Sequence, residues 1–467
     1  MTREADVGEV ERFRAALARR FGLAFEDSRA VALAEVLRRR AEAASGGIES
    51  FLARLESNAP WDEELRGLVG EITVPETYFF RNEDQFRALR AVLLLDGAGA
   101  LPKPRSVRLL SLGCASGEEP YSLAILMRAP ADAGWNVSIR AFDLNPKVLA
   151  KAARARYSTW ALRGTSTELR DRWFRADGNE FVLDERVRAM VTFEERNLTE
   201  HDPRFWQNER ADVIFCRNVL MYMTPDAARA VVARIAATLV PGGFLFLGHA
   251  ETLRGLSQDF HLRHTHDTFY YQRRELSDGP REEVTAPAFH PVAPRVDVPP
   301  QASWAESWIE TVGRASDRIA TLSASTPSST LRVTSGAEIA RVFELIGQER
   351  FAEAQVIVGN VAVEDARDPD VLLLRAVLLT HGGDLLEAER VSSELLAIDE
   401  MHAGAHYVLA LCRESRGDAA GAQQQDRLAL YLDPRFAMPR LHLGLLARRA
   451  GDAEGARREL AQALVLL

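Results

Sequence analysis

Apolar positions along this chain change their period from one stretch to the next, and each change marks a change of architecture. From residue 8 to residue 70 they recur at helical spacing. Val10, Phe13, Leu17 and Phe21 share one face, as do Ala30, Leu33, Val36 and Leu37. Gly46-Gly47 breaks the pattern and residues 48–55 resume it, which predicts a small helical domain without a catalytic motif of its own. Arg38, Arg39 and Arg40 form a basic cluster there, readable as a solvated face or as a docking surface for an acidic helical substrate. From 71 to 274, short apolar runs alternate with helical stretches. Residues 107–112, 137–143, 190–194, 213–216, 244–247 and 268–272 read as strands, and 124–127, 147–155 and 226–239 lie on helices. Strands separated by helices imply an α/β fold with a mainly parallel sheet covered on both faces. The last two strands have no clear helix between them, which predicts an antiparallel edge.

The pattern then fails. Between 275 and 335 no apolar period persists, apart from a possible short helix over 304–319. Pro280, Pro287, Pro291, Pro294, Pro299 and Pro300 are scattered among Ser, Thr and Ala, as in a flexible linker. From 336 to 467 helical periodicity returns as a repeat. Gly383-Asp384, Gly417-Asp418 and Gly451-Asp452 stand 34 residues apart (417 − 383 and 451 − 417). Ala388, Ala422 and Ala456 keep the step, Ala354 extends it backwards, and Asp399 and Asp433 share it, with Pro434 closing that unit. Paired helices at this period are the tetratricopeptide signature, and such repeats stack into a concave surface that binds peptides or helices. Four regions follow: an N-terminal helical domain over 1–74, the α/β domain over 75–274, the linker over 275–335 and the repeats over 336–467.

Composition narrows the functional classes. A chain of 467 residues with 47% hydrophobic and 27% charged residues is globular and multidomain. Its net charge of −9 argues against a general nucleic-acid or membrane binder. Cys114, Cys216 and Cys412 are too far apart in sequence for a disulfide framework or a zinc spacing. His264 and His266 lack a ligand partner at a recognisable spacing, so no metal site is expected. The opening residues hold no signal-peptide core, and no run of 18 apolar residues occurs, so a cytoplasmic protein without membrane insertion is expected.

The chemistry concentrates in residues 109–126, LLSLGCASGEEPYSLAIL, which read as strand, tight loop and helix. A dinucleotide fingerprint would need three glycines around a pyrophosphate. Here only Gly113 and Gly117 are glycine, and Glu118 and Glu119 stand where a phosphate would go. Two carboxylates at a helix start suit its dipole and repel an anion. A cationic or zwitterionic ligand fits, and S-adenosylmethionine is both. Glu118 is the expected direct contact, while Glu119 either touches the ligand or merely starts the helix. Asp143 ends a strand in IRAFDLN; because Asn145 before Pro146 caps the next helix, Asp143 is left for the ribose hydroxyls of a nucleoside. Another strand delivers Arg217 and Asn218 at its carboxyl end, with Tyr222 four residues after Asn218. These groups either face a ligand crevice or serve an ion pair and the core. Residues 72–86, ITVPETYFFRNEDQF, offer a hydrophobic hinge, with Arg81 able to clamp a carboxylate. Neither the Asn/Asp-Pro-Pro-aromatic pattern of base amino methylation nor a Pro-Cys nucleophile is present.

Taken in order, VPETYFFR, LGCASGEEPYSLA, FDLNPKVL, FCRNVLMYM and FLFLGHAE resemble the CheR-type protein-glutamate O-methyltransferases of bacterial chemotaxis, over about residues 10–274. The repeats look like the tetratricopeptide extension of some members. The resemblance implies a class I S-adenosylmethionine-dependent methyltransferase sheet of seven strands behind a helical N-terminal domain. It implies cofactor contacts from Thr77, Arg81, Glu118, Asp143, Asn197, Leu198, Asn218 and Val219. Pro75 stands where a better-known branch has Asn, so no contact is carried over there. Residues 157–164 resemble the segment leading into an inserted β-subdomain, which the charged stretch 165–190 would supply. The implied acceptor is a glutamate on the cytoplasmic helical region of a chemoreceptor, with an unknown protein or peptide on the repeats. A carboxylate nucleophile is already ionised near pH 7 and needs no general base. Arg81, Arg217 and Tyr222 are the candidates for the transfer step. A small-molecule carboxyl or hydroxyl methyltransferase and an inactive signalling adaptor are the competing readings.

Overall fold

The computed structural model describes residues 6–43, 47–57, 62–73, 75–94, 106–200, 202, 205–206, 209–266, 268–275, 341–342, 345, 350–359 and 367–466. All of the expected linker except residue 275 lies outside them. The chain divides into two compact units, Met1–Gly279 and Pro280–Leu467.

The first unit opens with helices α1 (Val7–Phe21), α2 (Ala30–Ala43), α3 (Gly47–Glu56) and α4 (Glu63–Ile72). Asp6 caps α1 in a reciprocal box with Glu9, and Gly22 ends it at φ 66°. The predicted apolar faces meet: Phe13, Leu17, Leu37, Phe51, Leu52 and Leu68 pack into one core. The basic cluster is neutralised within this unit. Arg38 pairs with Glu35 and Glu42, and Arg39 and Arg40 both pair with Glu71. It is therefore a charge-balanced helix surface, not an open cationic one.

Next come α5 (Glu83–Leu94), β1 (Ser106–Leu112), α6 (Glu118–Asp132), β2 (Asn136–Asp143) and α7 (Pro146–Arg154). An insertion carries β3 (Arg156–Tyr157), α8 (Thr167–Trp173), β4 (Phe174–Asp177), β5 (Glu180–Leu183) and α9 (Glu185–Arg188). The domain closes with β6 (Val191–Glu195), β7 (Ala211–Cys216), α10 (Pro225–Thr238), β8 (Leu239–Leu247), β9 (Phe260–Thr265) and β10 (Thr268–Arg273). The main sheet has seven strands in the order β6-β2-β1-β7-β8-β10-β9. All its pairs are parallel except those of β10. The order reverses between β1 and β7, the position where open α/β sheets bind ligands. Every predicted strand is present. The strand over 260–265 escaped detection because its FHLRHT alternation buries only Phe260 and Leu262. The insertion forms its own antiparallel sheet, β3-β5-β4, anchored to the main domain by Tyr157 and Trp173 in the shared core.

In the second unit, helices Pro369–His381, Ala403–Ser415 and Ala437–Arg449 alternate with Leu385–Ile398, Ala419–Leu432 and Ala453–Leu466. Both series start at 34-residue steps (403 − 369, 437 − 403; 419 − 385, 453 − 419), as the repeat predicts. Gly383, Gly417 and Gly451 take φ near 80°, which turns the chain, and each following Asp accepts from the backbone N–H three residues on. Ala388 and Ala422 are fully buried, where a larger side chain would hold the helices apart.

Among these helices lies a buried charged group that periodicity does not announce. His442 Nδ1 stands 2.8 Å from Asp426 Oδ2, and its Nε2 stands 3.0 Å from Glu414, which also pairs with Arg449. Burial pushes the Asp426 carboxyl up to about 6 against the pull of His442. Burial alone would lower the imidazole pKa, but the carboxylate of Asp426 close to Nδ1, backed by Glu414, outweighs it and leaves it raised. Both pKa values are raised in the folded state. Their stabilisation is therefore full at acid pH and is lost as pH rises through the folded values, about 6 for Asp426 and above 6.5 for His442. Hydrogen exchange on the full chain, corrected for intrinsic rates, should show the 403–449 amides losing protection as pH rises from about 4 to about 6 through Asp426, and again above 6.5 through His442. His442→Ala should destabilise the repeats by about 3 kcal/mol, since it strands a buried carboxylate, and a flat pH profile in the wild type would count against the pair.

Candidate active site

β1 ends at Leu112 and the chain turns through Gly113–Gly117 before α6 begins. Gly113 takes φ 75°, and a Cβ there would lie 2.4 Å from Val219 Cγ2, so the loop after β1 and the loop after β7 meet at a residue without a side chain. Gly113 and Cys114 N–H donate to the Phe142 carbonyl, which ties the turn to β2. Asp143 completes the tie. Its Oδ2 accepts from Ala115 N–H and its Oδ1 from Asn145 N–H, both at 2.8 Å. Asn145 caps α7 by accepting from Lys147 N–H and donates to Thr73 Oγ1 at 2.9 Å, as the cap reading required. Burial pushes the Asp143 carboxyl up, against the pull of those backbone donors.

A cavity of about 530 Å³ opens at this switch point. Thr77, Arg81, Asp143, Asn197, Leu198, Arg217, Asn218, Val219 and Tyr222 all line it. Glu118 does not. Its side chain turns back to accept from Ser116 Oγ at 2.8 Å and is only 4% exposed. Glu119, the next residue around the first helical turn, lines the cavity instead and accepts from Ser111 Oγ at 2.7 Å. Of the two carboxylates, Glu119 is thus the one in the cavity wall. Burial pushes both carboxyls up, and the nearby Arg217 draws Glu119 back.

Arg217 is 6% exposed. Its Nη2 donates to the Arg81 carbonyl at 2.5 Å and to Asn82 Oδ1 at 2.8 Å, and its Nη1 lies 3.6 Å from Glu119 Oε2. Nε and Nη1 are buried without a hydrogen-bond partner among the described residues. Open donors on a buried cation beside a cavity call for an anionic group. Phe80 and Asn82 flank Arg81 at φ 54° and 62°, a strained turn that places Arg81 in the cavity wall. Asn197 is committed elsewhere: its amide donates to the Arg20 carbonyl at 3.0 Å and its oxygen accepts from Thr199. Any ligand contact there falls to the backbone.

The N-terminal helices also build this wall, which the strand pattern did not reveal. After Gly22 the chain runs extended, and Leu23 pairs with Met223. Ala24 N–H donates to the Tyr222 carbonyl and Thr224 N–H to the Gly22 carbonyl, both at 2.8 Å. Leu23, Phe25, Glu26 and Arg29 consequently line the cavity beside Tyr222, which is 36% exposed. The signal was available in Gly22 as a helix stop followed by alternating apolar residues.

Residues 75–269 match the family model described as CheR methyltransferase, SAM binding domain. A Pseudomonas putida protein named probable biofilm formation methyltransferase WspC is 31% identical over 463 residues, covering 96% of each chain. The chain belongs to the CheR methyltransferase family. The WspC of Pseudomonas aeruginosa is 28% identical over 85% of this chain and 84% of that one. Chemotaxis protein methyltransferase 2 of Vibrio cholerae is 32% identical over 56% of this chain and 91% of its own. The cofactor of the CheR domain is S-adenosylmethionine, and the cavity suits it. Gly113 admits close backbone approach, Asp143 and Glu119 offer carboxylates to a ligand bearing positive charge, and Arg217 has donors for a carboxylate.

Replacing Glu119 by Gln should weaken S-adenosylhomocysteine binding in calorimetry by about tenfold, whereas Glu118→Gln should change it less than about twofold. The reverse order would restore Glu118 as the contact. Asp143→Ala should cost at least about tenfold with the circular dichroism unchanged.

Proposed function

We propose that the chain transfers a methyl group to glutamate carboxylates on the cytoplasmic helical region of a chemoreceptor, giving glutamate methyl esters, and that it works in the cytoplasm. No helix among the described residues is long and apolar enough to cross a membrane. The observation that carries the acceptor class is the cavity wall. Arg81 and Tyr222 both line it, which offers a guanidinium and a phenol to an acceptor carboxylate. A carboxylate acceptor is already ionised near pH 7, so it calls for a cation and needs no base.

S-adenosylmethionine, when bound, supplies a methyl group on a sulfonium as the electrophile. The rest is the work of this chain. Asp143 and the Gly113 turn would hold the nucleoside side, with Asn218 and Val219 lining the same cavity. Arg217 and Arg81 hold and orient a carboxylate, and Tyr222, on the loop stitched to the N-terminal helices, borders the acceptor's approach. Burial strips water from the acceptor oxygen, and fixed walls set its line of attack. The greater burial of Arg217 supports placing it on the cofactor side, with Arg81 left to the acceptor.

The repeats serve as a docking module for a protein or peptide, with the linker over 275–335 between them and the catalytic part, and with 1–74 and 75–274 as its two layers. The relatives that match across the repeats carry a biofilm-formation name, which supports a receptor system of that kind as the acceptor. Incubation with labelled cofactor and candidate receptors from the same cell should give alkali-labile label on receptor glutamates. Label only on small molecules would overturn the acceptor, and no turnover with any substrate would leave an adaptor. A fragment ending at residue 275 should fold and still bind S-adenosylhomocysteine as the full chain does, and loss of binding by a soluble fragment would refute the independence of the catalytic part.

A further inference from the structure

The β8 strand runs out in FLFLGHAE, and the glutamate at its end, Glu251, is 5% exposed and does not line the cavity. Its carboxylate nonetheless collects four backbone donors. Oε2 accepts from Asn218 N–H at 2.6 Å and Gly248 N–H at 2.7 Å, and Oε1 accepts from Val219 N–H at 2.8 Å and Met221 N–H at 3.2 Å. Three of the four belong to the loop after β7. That loop includes Asn218 at φ 56°, a left-handed conformation that a non-glycine residue holds only when its surroundings enforce it. The approach is close enough to require Gly248: a Cβ there would lie 2.7 Å from Glu251 Oε2 and 2.9 Å from Asn218 N. The far end of the same loop is fixed by the pairing of Leu23 with Met223.

We propose that Glu251 is a positioning residue for methyl transfer. It touches no ligand. It fixes the backbone that presents Asn218 and Val219 to the cofactor side of the cavity and Tyr222 to the acceptor side. A glutamine cannot replace it, because its single acceptor oxygen leaves two donors unmatched and its NH₂ confronts them. Aspartate keeps the charge but is one methylene too short to serve both loops.

The role rests on the cavity reading given above, and the experiment separates the two. Hydrogen exchange of the ligand-free full chain should show the 217–224 amides of Glu251→Gln exchanging at least about tenfold faster, with 106–112 and 369–466 unchanged. S-adenosylhomocysteine affinity should fall about tenfold in calorimetry, and kcat should fall at least as far. Glu251→Asp should lie between wild type and Glu251→Gln on all three readouts, and it carries the test if the glutamine variant does not fold. Wild-type exchange in the loop, protection lost evenly across the sheet, or a loosened loop with unchanged affinity and kcat would each overturn the role. Failure of the wild type to bind S-adenosylhomocysteine would overturn the cavity reading and the role together. Wild-type binding with an indifferent Glu251→Gln overturns the role alone.

Discussion

A guanidinium buried at the carboxyl end of β7 has to be surrounded by acceptors, and much of the site is arranged to provide them. Burying a charge without partners would cost several kcal/mol. Arg217 meets that cost by taking the Arg81 carbonyl and Asn82 Oδ1, with Glu119 at 3.6 Å and the rings of Phe86 and Phe215 within 6 Å of its carbon. To offer a carbonyl and a side-chain oxygen to one nitrogen, the 80–82 turn takes left-handed φ on both sides of Arg81. The same turn aims Arg81 into the cavity wall. The position of one arginine is thus conditional on the burial of another, and the segment joining the helical layer to the sheet is shaped by that demand more than by its own propensities.

This explains which parts of the site could be read in advance. β1, β2, β6, β7 and β10 follow from apolar runs whose period is unambiguous, and the Gly113 turn from glycines that only a close approach requires. Asp143 was legible because Asn145 and Pro146 already account for the start of α7. Glu118 and Glu119 were not separable, since adjacent residues at a helix start differ by about 100° in direction and only the packing of α6 says which faces inward. Ser116 and Ser111 each take one carboxylate, and the second of these lies on the cavity side. The Leu23–Met223 pairing and β9 were missed for a related reason. Each is a short extended piece whose partner is distant in sequence or whose exposed face is polar, so period alone says little. The Arg38–Arg40 cluster shows the converse: a charge run read without its partners Glu35, Glu42 and Glu71 overstates the open charge.

The repeats were more transparent than the catalytic part, because a stacked solenoid repeats its local rules. Glycine at φ near 80°, an Asp cap and a buried Ala recur at one step, and the helix starts keep it. What the period hides is its exceptions. Asp426 and His442 occupy buried positions where apolar residues would serve packing better, and a buried ion pair is seldom a gain over such residues. Their presence gives this part of the array a buried pair whose stabilisation falls as pH rises.

Charge in the cavity also bears on which ligand it suits. Burial raises the pKa of both Asp143 and Glu119, so their ionised forms are held at a cost that a positively charged ligand relieves. Arg217 offsets part of that cost for Glu119 alone, through a contact of 3.6 Å, and leaves two donors open. A zwitterion with separated charges would satisfy both demands at once. An isolated acceptor carboxylate satisfies only the second and would meet Glu119 as a like charge. A wall that holds both buried carboxylates and a buried guanidinium therefore suits a ligand of both charges better than an anion alone.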